Sequence, residues 1–349
     1  MLSFFKQIFR WNKREAQNIS KQNKFQSSSN EVARGIIYSK AIEKLLPLSS
    51  DYSALAASFN DLLLDSGAPE IISLNNVEQS ILNNLEKLLL GDIPEFAVPR
   101  LPDVGAKLLK QLGDPDITIA EIMSNINRDP ALASDVLHMA NSAMFRPSGC
   151  ETIVNLEQAV VILGLGNLKM VISSALMKRM LVIAPVYFKM FGQHLWEHSI
   201  NCAHACRVLA VIYQLCDPDN AYLVGLMHDV GKLAIFALLI KALGEYIDYT
   251  PRGIVFSNIV RDHSPELSAK IVQAWDLPSY LQTALYEQIS GQSNNYSSYG
   301  FILNQANILA EFKVIAESVH NQNKSFEELA IEYGIPVAIY NQVFFDQPM

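Results

Sequence analysis

The sequence predicts an all-α protein, and three observations support this. Helix start and stop signals recur along the chain: a capping residue opens an apolar stretch of helical period, and glycine or proline closes it. Runs of alternating β-branched residues between hairpin turns are absent, and residues 254–257 are the best short strand candidate. Half of the 349 residues are hydrophobic, which is enough for the sizeable core of a helical bundle.

Capping signals mark the helix starts of the N-terminal half. In a capping box, the first side chain accepts a hydrogen bond from the third backbone N–H, and an acidic side chain reaches back to the cap. A proline directly after an Asp cap also favours a helix start, because its missing N–H costs nothing there. These signals are Asn75 with Glu78, Thr118 with Glu121, and Asp129 with Pro130. An earlier helix is predicted over residues 32–46, before Pro47.

Residues 155–180 are predicted to form two apolar helices. The motif Leu163-Gly-Leu-Gly166 divides them because its glycines supply a turn, and Asn167 is expected to cap the second helix. A polar stretch over residues 290–299 then interrupts the pattern, and a further helix follows over residues 301–314. The polar stretch therefore separates a central bundle from C-terminal helices.

The final stretch, LAIEYGIPVAIYNQVF, has the outline of a helix-turn-helix. Ser325 opens its first helix, and Gly334 with Pro336 separates that helix from the second. DNA binding is one function of such a hairpin, but residues 336–345 contain no Lys or Arg to contact phosphates or guanine. A hairpin that packs on the bundle is therefore favoured over a DNA-binding one.

Composition excludes several classes of function. The net charge of −8 argues against a general nucleic-acid coat. No uninterrupted apolar run reaches the ~20 residues that a membrane span needs, and the N-terminus lacks the pattern of a signal peptide. The four cysteines form no CxxC pair, which favours reduced thiols in a cytoplasmic protein.

The first 30 residues are predicted to be a mobile basic leader followed by a polar linker. Apolar residues alternate with bases in MLSFFKQIFRWNKR, a pattern compatible with a helix on a membrane surface. A leader that frays or docks on a partner is favoured, because the segment is short. Residues 12–30 are rich in Asn, Gln, Lys and Ser and bury too little apolar surface to offset the entropy of ordering.

His228 and Asp229, within the stretch GLMHDVGKL, are the leading candidates for metal ligands. Adjacent residues on a helix point about 100° apart, so both reach one ion only at close range. A divalent ion needs about four to six ligands, so further side chains must come from other helices. The candidates are His194, His198, His204 and His263. Lys232, three residues after the pair, either pairs with a carboxylate or phosphate or lies on the surface.

One predicted helix carries His194, His198, Cys202 and Cys206 at successive i+4 positions. Two neighbours of such a row can share a tetrahedral metal, but all four cannot, because the row spans roughly 18 Å. A packed helix face whose thiols belong to the core explains the row better than a zinc site.

A series of short motifs extends from about residue 94 to residue 288. In order they are Leu101-Pro102, Arg128–Leu132 (RDPAL), Ala140–Ala143 (ANSA), Ala159, Leu163-Gly164, Trp196–Ser199 (WEHS), Gly225–Leu233 (GLMHDVGKL) and Trp275–Pro278 (WDLP). Each motif alone is weak, but their order over this length is specific. The series resembles the HDOD domain, a relative of the HD-type metal phosphohydrolases. The resemblance implies a two-lobed helical bundle that serves as a noncatalytic signalling or regulatory module in bacteria.

The resemblance also implies an incomplete set of metal ligands. Active HD relatives hold their metal with an early His, the His-Asp pair, later histidines and a late Asp. The matching residues in this sequence are His198, His228, Asp229 and His263. Two-metal relatives carry a His-His pair where this chain has Tyr286-Glu287-Gln288, and Asn307 stands where the late Asp is expected.

These departures disfavour catalysis. Hydrolysis needs a metal-bound water of lowered pKa and a second charge that stabilises the leaving oxygen. Asn307 keeps an oxygen but lacks the anion that offsets the charge of a metal. The four matching residues are therefore interpreted as a buried hydrogen-bonded network, with weak binding of one divalent cation as the alternative. A metal-dependent phosphohydrolase acting on a nucleotide or cyclic dinucleotide is the competing function.

The sequence thus predicts a cytoplasmic bacterial signalling protein with no catalytic residues and no cofactor. Its predicted regions are the leader and linker (1–30), a helical N-terminal segment (31–92), the HDOD domain (93–290) and C-terminal helices packing on the bundle (300–349). Binding of a protein partner or a small signalling ligand is the expected activity. The N-terminal segment is either a sensor or a helical brace.

Overall fold

The computed structural model describes residues 52–64, 73–90, 98–99, 103–112, 114, 116–146, 149–181, 191–244, 252–290, 297–319 and 325–345. Within these ranges the chain contains fourteen α-helices and no β-strand, which confirms the predicted all-α class. The predicted leader (1–30) and the helix predicted over residues 32–46 lie outside the described residues.

The helices are numbered here in chain order. They are α1 Ser53–Leu63, α2 Asn76–Leu90, α3 Asp103–Leu112, α4 Ile119–Ile126, α5 Pro130–Ala140, α6 Leu156–Met180, α7 Phe191–Tyr213, α8 Pro218–Met227, α9 Val230–Leu243, α10 Gly253–Ala274, α11 Ser279–Ser290, α12 Ser298–Val319, α13 Phe326–Glu332 and α14 Val337–Phe344.

The predicted capping boxes are confirmed by hydrogen bonds at the helix starts. At α2, the N–H of Glu78 donates to Asn75 Oδ1 at 2.9 Å, and the N–H of Asn75 donates to Glu78 Oε2 at 2.9 Å. The other confirmed starts are Thr118 with Glu121, Asp129 with Pro130, and Ser325 with Glu328. Local capping chemistry therefore sets these helix boundaries.

Helix α6 is divided at Gly164, as predicted. Gly164 has φ 73° and ψ 173°, a backbone conformation that favours glycine. The predicted cap at Asn167 is wrong: the backbone is helical again before this residue, and its Nδ2 donates to the Leu163 carbonyl at 2.9 Å. The strand candidate at residues 254–257 is also wrong, because these residues lie in α10. A short apolar run fits a buried helix as well as a strand.

The helices form two lobes. Helices α3, α4, α5 and α6 pack on one another, and α6 joins them to the second lobe by packing on α8. In the second lobe α7 packs against α8, α12, α1 and α14, while α10 packs against α9, α11, α1 and α2. The N-terminal helices α1 and α2 therefore belong to the second lobe.

An ion pair between the buried Glu78 and the half-exposed Arg252 docks α2 on the start of α10. Glu78 is fully buried, and its two carboxylate oxygens accept hydrogen bonds from Arg252 Nε at 2.6 Å and from Arg252 Nη2 at 2.5 Å. The backbones of α1 and α10 also meet closely, because a Cβ on Gly253 would lie 1.9 Å from the Leu64 carbonyl oxygen. These contacts support the brace interpretation of the N-terminal segment.

The predicted C-terminal hairpin packs on the bundle. The Phe312 ring of α12 lies 5.4 Å from the Phe326 ring of α13 and 5.5 Å from the Tyr340 ring of α14. His204 Nε2 donates to the Val343 carbonyl at 3.1 Å. His204 therefore contacts the C-terminal hairpin and is not one of the residues that gather around His228 and Asp229.

Two helical stretches of the described chain are long and apolar enough to cross a membrane, Leu156–Met180 and Pro218–Leu243. Both include polar residues, so neither is an uninterrupted apolar run. In the fold, 56% and 89% of their most apolar windows are buried. Core helices pass the same test, so the two stretches are weak evidence for membrane spans.

Candidate functional site

His228 and Asp229 form the two-residue turn between α8 and α9. His228 ends α8, and Asp229 precedes α9 with φ −104° and ψ 14°. Because the helix is interrupted here, the two side chains approach one another: His228 Nε2 lies 3.4 Å from Asp229 Oδ2. On a continuous helix, adjacent side chains point about 100° apart. The turn instead lets the side chains of His228 and Asp229 come together.

Two glycines of the GLMHDVGKL stretch bring this turn against its neighbours. A Cβ on Gly225 would lie 2.7 Å from the Cys202 carbonyl oxygen of α7. A Cβ on Gly231 would lie 2.2 Å from the Ser264 carbonyl oxygen of α10. Glycine at these positions therefore lets α8 approach α7 and lets α9 approach α10.

The structure brings three of the four predicted site residues together. His198 Nε2 lies 3.0 Å from His228 Nε2 and 3.2 Å from Asp229 Oδ2. All three side chains are buried, and each offers a ligand atom within 4.8 Å of the others. We call His198, His228 and Asp229 the HD cluster.

His263 is not part of the HD cluster. It lies on α10 at intermediate exposure and does not line the cavity beside the cluster. The face of α10 turned to that cavity carries Arg261, Ser264 and Pro265, at i, i+3 and i+4. His263 lies about 200° from Arg261 around the helix, so it is on a different face from the one at the cavity. The prediction that His263 joins the site is therefore wrong.

The His and Cys row of α7 does not act as one site. His194 Nδ1 lies 3.6 Å from Glu197 Oε2, whereas His198 belongs to the HD cluster. Cys202 and Cys206 are fully buried free thiols, and neither belongs to a group of potential metal ligands among the described residues. The row is a packed helix face, as the sequence analysis favoured, and His198 is its one member that belongs to the HD cluster.

Asn307 lies at the cluster, where the comparison with active HD relatives placed it. Its Oδ1 is 2.9 Å from His228 Nε2, and its Nδ2 donates to Glu311 Oε1 at 3.3 Å. The Glu311 contact fixes the amide so that oxygen rather than nitrogen faces His228. Helix α12, outside the predicted HDOD boundaries, therefore contributes directly to the site.

The pKa values of the two histidines of the cluster are shifted in opposite directions. Burial lowers the pKa of His198 to about 4, although the Asp229 carboxylate opposes this. Burial also lowers the pKa of His228, but Asp229 and Cys202 together outweigh it and raise that pKa to about 9. His228 Nδ1 donates to the Gly225 carbonyl at 2.7 Å, which fixes the ring and turns Nε2 to the cluster.

Lys232 is part of the site, and its surface alternative is wrong. It lies one turn along α9, is 4% exposed, and its Nζ donates to Asp229 Oδ2 at 2.5 Å. The same ammonium lies 4.8 Å from the centre of the Phe59 ring. Burial acts to raise the pKa of Asp229, but the nearby positive charges of His228 and Lys232 hold it well below its ordinary value.

Glu311 is a buried acid that the sequence analysis missed. It is 5% exposed, and burial raises its pKa to about 7, although the charge of Lys232 acts in the opposite direction. Its position one turn after Asn307 is the sequence signal that would have identified it.

Because the pKa of Glu311 rises on folding, this side chain stabilises the folded state least at high pH. The stabilising contribution of Glu311 is lost as pH rises from about 4.5 through 7, because its carboxyl group loses the proton at a lower pH in the unfolded chain than in the folded one. We expect Glu311→Gln, which keeps the acceptor for Asn307, to stabilise the protein by about 2–3 kcal/mol at pH 8 and by little at pH 4.5. Urea unfolding at both pH values measures this.

The half-exposed Glu317 on the same helix gives the matched control, Glu317→Gln, whose effect should be small at both pH values. An effect of Glu311→Gln that does not change between pH 4.5 and pH 8 would contradict the raised pKa.

A cavity of about 220 Å³ lies beside the HD cluster, between α1, α9, α10, α11 and α12. Polar groups line it from every side, including Asn60, Arg261, Gln288 and Glu311. Asn60 is 3% exposed, and its Oδ1 has no hydrogen-bond partner within the described part of the chain. Gln288, from the segment that replaces the His pair of two-metal relatives, donates to the Ala284 and Gly300 carbonyls at 3.3 Å.

A family model, the HDOD domain, matches residues 98–290, which is more than half of the chain. The chain belongs to the HDOD domain family. The match covers His198, His228 and Asp229, but it ends before α12 and begins after α1. The candidate site therefore also includes residues from outside the match: Asn307 and Glu311 after it, and Phe59 and Asn60 before it.

Solved structures share the fold. An HDOD domain protein of unknown function from Geobacter sulfurreducens is 21% identical, with 78% of this chain and 91% of that chain covered and a TM-score of 0.51. A provisionally assigned metal-dependent phosphohydrolase from Shewanella amazonensis SB2B is 21% identical, with 77% and 98% covered and a TM-score of 0.50. At these identities the likeness concerns the fold alone.

A curated relative is similar in sequence. An uncharacterised protein from Treponema pallidum (strain Nichols) is 26% identical over 180 residues, which is 49% of this chain. The match spans about a third of the length of that relative, 34%.

The HD cluster and Asn307 together offer the donor atoms for one metal ion, but not enough negative charge to hold it. His198, His228 and Asp229 present two ring nitrogens and one oxygen within 4.8 Å of one another, and Asn307 adds an oxygen 2.9 Å from His228 Nε2. Asp229 is the anion among these four, and Lys232 already neutralises it. The donor geometry thus fits a divalent cation, whereas the charge balance disfavours one.

Proposed function

We propose that this protein is a noncatalytic regulatory module that binds a protein partner or a small signalling ligand through its HDOD bundle. The observation that carries the proposal is the contact between the Lys232 ammonium and Asp229 Oδ2 at 2.5 Å. A buried ion pair in which each charge compensates the other is complete without a metal ion.

The charges around the cluster support this role. A catalytic metal ion needs anionic ligands to hold it and an open position for water. Asn307 contributes a neutral oxygen in place of an anion, and Lys232 adds a positive charge against the remaining carboxylate. A divalent ion would therefore enter a site whose one close carboxylate is already paired with Lys232.

A second metal ion also finds no ligands in the described segment that replaces the His pair of two-metal relatives. Of the three residues that replace the His pair of two-metal relatives, Tyr286 is 42% exposed and Glu287 accepts hydrogen bonds from the N–H and Oγ of Ser297. Gln288 alone lines the cavity, and its amide is hydrogen-bonded to backbone carbonyls. The arrangement supports binding rather than turnover.

The cavity supports the ligand-binding form of the proposal. Its volume of about 220 Å³ is larger than the volume that a few water molecules occupy, and it is lined by Asn60, whose buried Oδ1 has no hydrogen-bond partner among the described residues. A small polar ligand with a hydrogen-bond donor would satisfy that atom.

A metal-dependent phosphohydrolase is the second candidate, favoured by the convergence of His198, His228 and Asp229. In that case these residues and Asn307 would hold the ion, which would supply an activated water. The fold shared with the Shewanella protein is compatible with this activity, although Lys232 and Asn307 stand against it.

Turnover of the phosphodiester bis(p-nitrophenyl) phosphate with added Mn²⁺ separates the two candidates. We expect the rate of the wild-type chain to equal that of His228→Ala. Hydrolysis by the wild type that His228→Ala abolishes would overturn the noncatalytic proposal. Glu317→Gln, a surface change on α12, controls for a general effect of substitution on contaminating activity.

A further inference from the structure

The Lys232 ammonium contacts both a carboxylate and an aromatic ring. Its Nζ lies 2.5 Å from Asp229 Oδ2 and 4.8 Å from the centre of the Phe59 ring, over the ring face. An ammonium over an aromatic face is attracted by the ring, more strongly where water is scarce. Lys232 is 4% exposed and Phe59 is fully buried, so the ring contact is largely removed from bulk water, and Lys232 also lines the cavity beside the cluster.

The charge of Lys232 lies where it competes with a metal ion. Asp229 Oδ2, its hydrogen-bond acceptor, is the same atom that lies 3.2 Å from His198 Nε2 and 3.4 Å from His228 Nε2. An ion bound by the two histidines would need this oxygen. The lysine and the ion therefore cannot both make full use of the carboxylate.

Phe59 ties this arrangement to α1, which lies before the HDOD match. Its ring also lies 4.4 Å from the ring of His198, so one side chain contacts both the lysine and a histidine of the cluster. Helix α1 packs on α7, α10 and α12 and is held at its end by the close approach of Leu64 to Gly253. The position of the Phe59 ring thus depends on the docking of α1.

We propose that Lys232 is an internal cation that takes the place of a divalent metal ion in the HD cluster, and that Phe59 of α1 holds it there. The inference rests on the proposed noncatalytic function and gives it a cause: the ligands are present, but a side chain supplies the charge. Metal access is then coupled to the seating of the N-terminal segment, a contact that inhibits metal binding from within the chain.

Mn²⁺ titration of the metal-stripped full chain, followed by the electron paramagnetic resonance signal of free Mn²⁺, tests the inference. Lys232→Met keeps most of the apolar stem and removes the charge, which leaves Asp229 free to bind an ion. We expect its Mn²⁺ affinity to rise at least about tenfold over the wild type. Lys241→Met, at an exposed position of the same helix, should leave the affinity unchanged.

Phe59→Leu provides a second variant that retains Lys232 and a similar apolar volume. Loss of the aromatic face should raise Mn²⁺ affinity about two- to fivefold, and this result stands whether or not Lys232→Met folds. A thermal shift of each variant with and without Mn²⁺ gives a readout that does not depend on activity.

The outcomes separate this inference from the proposed function. If Lys232→Met and Phe59→Leu both bind Mn²⁺ no better than the wild type, the internal-cation proposal is overturned while the noncatalytic function stands. If the wild type binds Mn²⁺ as tightly as Lys232→Met and hydrolyses a phosphodiester, both fail. Tighter binding in the variants with no turnover in any of them supports both.

Discussion

Asp229→Asn is expected to lower the free energy of unfolding by about 3–5 kcal/mol. The substitution keeps the shape of the side chain but leaves the Lys232 ammonium, 4% exposed, without its anion. An uncompensated buried charge costs far more than the loss of one hydrogen bond. Chemical denaturation with urea, monitored by far-UV circular dichroism, measures the change.

The double variant Asp229→Asn with Lys232→Met tests the cause. Since it removes both charges, it should be less destabilised than Asp229→Asn alone, by about 1–3 kcal/mol. Asp262→Asn, which breaks a surface pair with Arg261, is the matched control and should change stability by less than about 0.5 kcal/mol. A double variant that is as unstable as the sum of the single variants would contradict charge compensation by Lys232.

Phe59→Ala is expected to destabilise the protein by about 3–5 kcal/mol. The side chain is fully buried between His198 and Lys232, and its removal leaves a void at the junction of α1 with the cluster. The lost burial and the cavity both contribute to the cost. The thermal midpoint and urea midpoint of the full chain provide the measurement.

Phe345→Ala is the control for this change, because Phe345 is 67% exposed and its loss should cost less than about 0.5 kcal/mol. If Phe59→Ala costs no more than Phe345→Ala, then α1 is not an integral part of the lobe that carries the cluster. That result would also remove the structural basis for coupling between α1 and Lys232.

The fold was largely predictable because its boundaries are set by local chemistry. The capping pairs at Asn75, Thr118, Asp129 and Ser325 act within three residues, so the sequence alone reveals them. The strand candidate at residues 254–257 failed because a four-residue apolar run has no period of its own, and its position in α10 depends on tertiary packing.

The site was predictable where a motif fixes it. His198, His228, Asp229 and Asn307 converge because they stand at positions that the HD resemblance singles out. His263 failed because a rotation of about 200° along α10 decides which face meets the cavity. Position in a motif therefore predicted His198 and Asn307 within long helices, but it did not predict the face of α10 on which His263 lies.

The remaining parts of the site depend on packing between distant segments. Lys232 is buried because α1 covers it with Phe59, which lies more than a hundred residues earlier in the chain. Glu311 is buried because α12 packs within the second lobe, whereas the sequence analysis placed α12 outside the HDOD domain, among C-terminal helices that pack on the bundle. The burial of Lys232 has no local signal, since a single lysine in an apolar helix is equally compatible with an exposed position. The burial of Glu311 has one weak signal, its position one turn after Asn307.

The central claim is that the HD cluster is complete without a metal ion. The most direct test is the metal content of the full chain, purified without chelators from cultures supplemented with manganese and zinc. We expect each metal at less than about a tenth of an equivalent per chain, with no difference between the wild type and His228→Ala. One equivalent of a divalent metal per wild-type chain, lost in His228→Ala, would contradict the account.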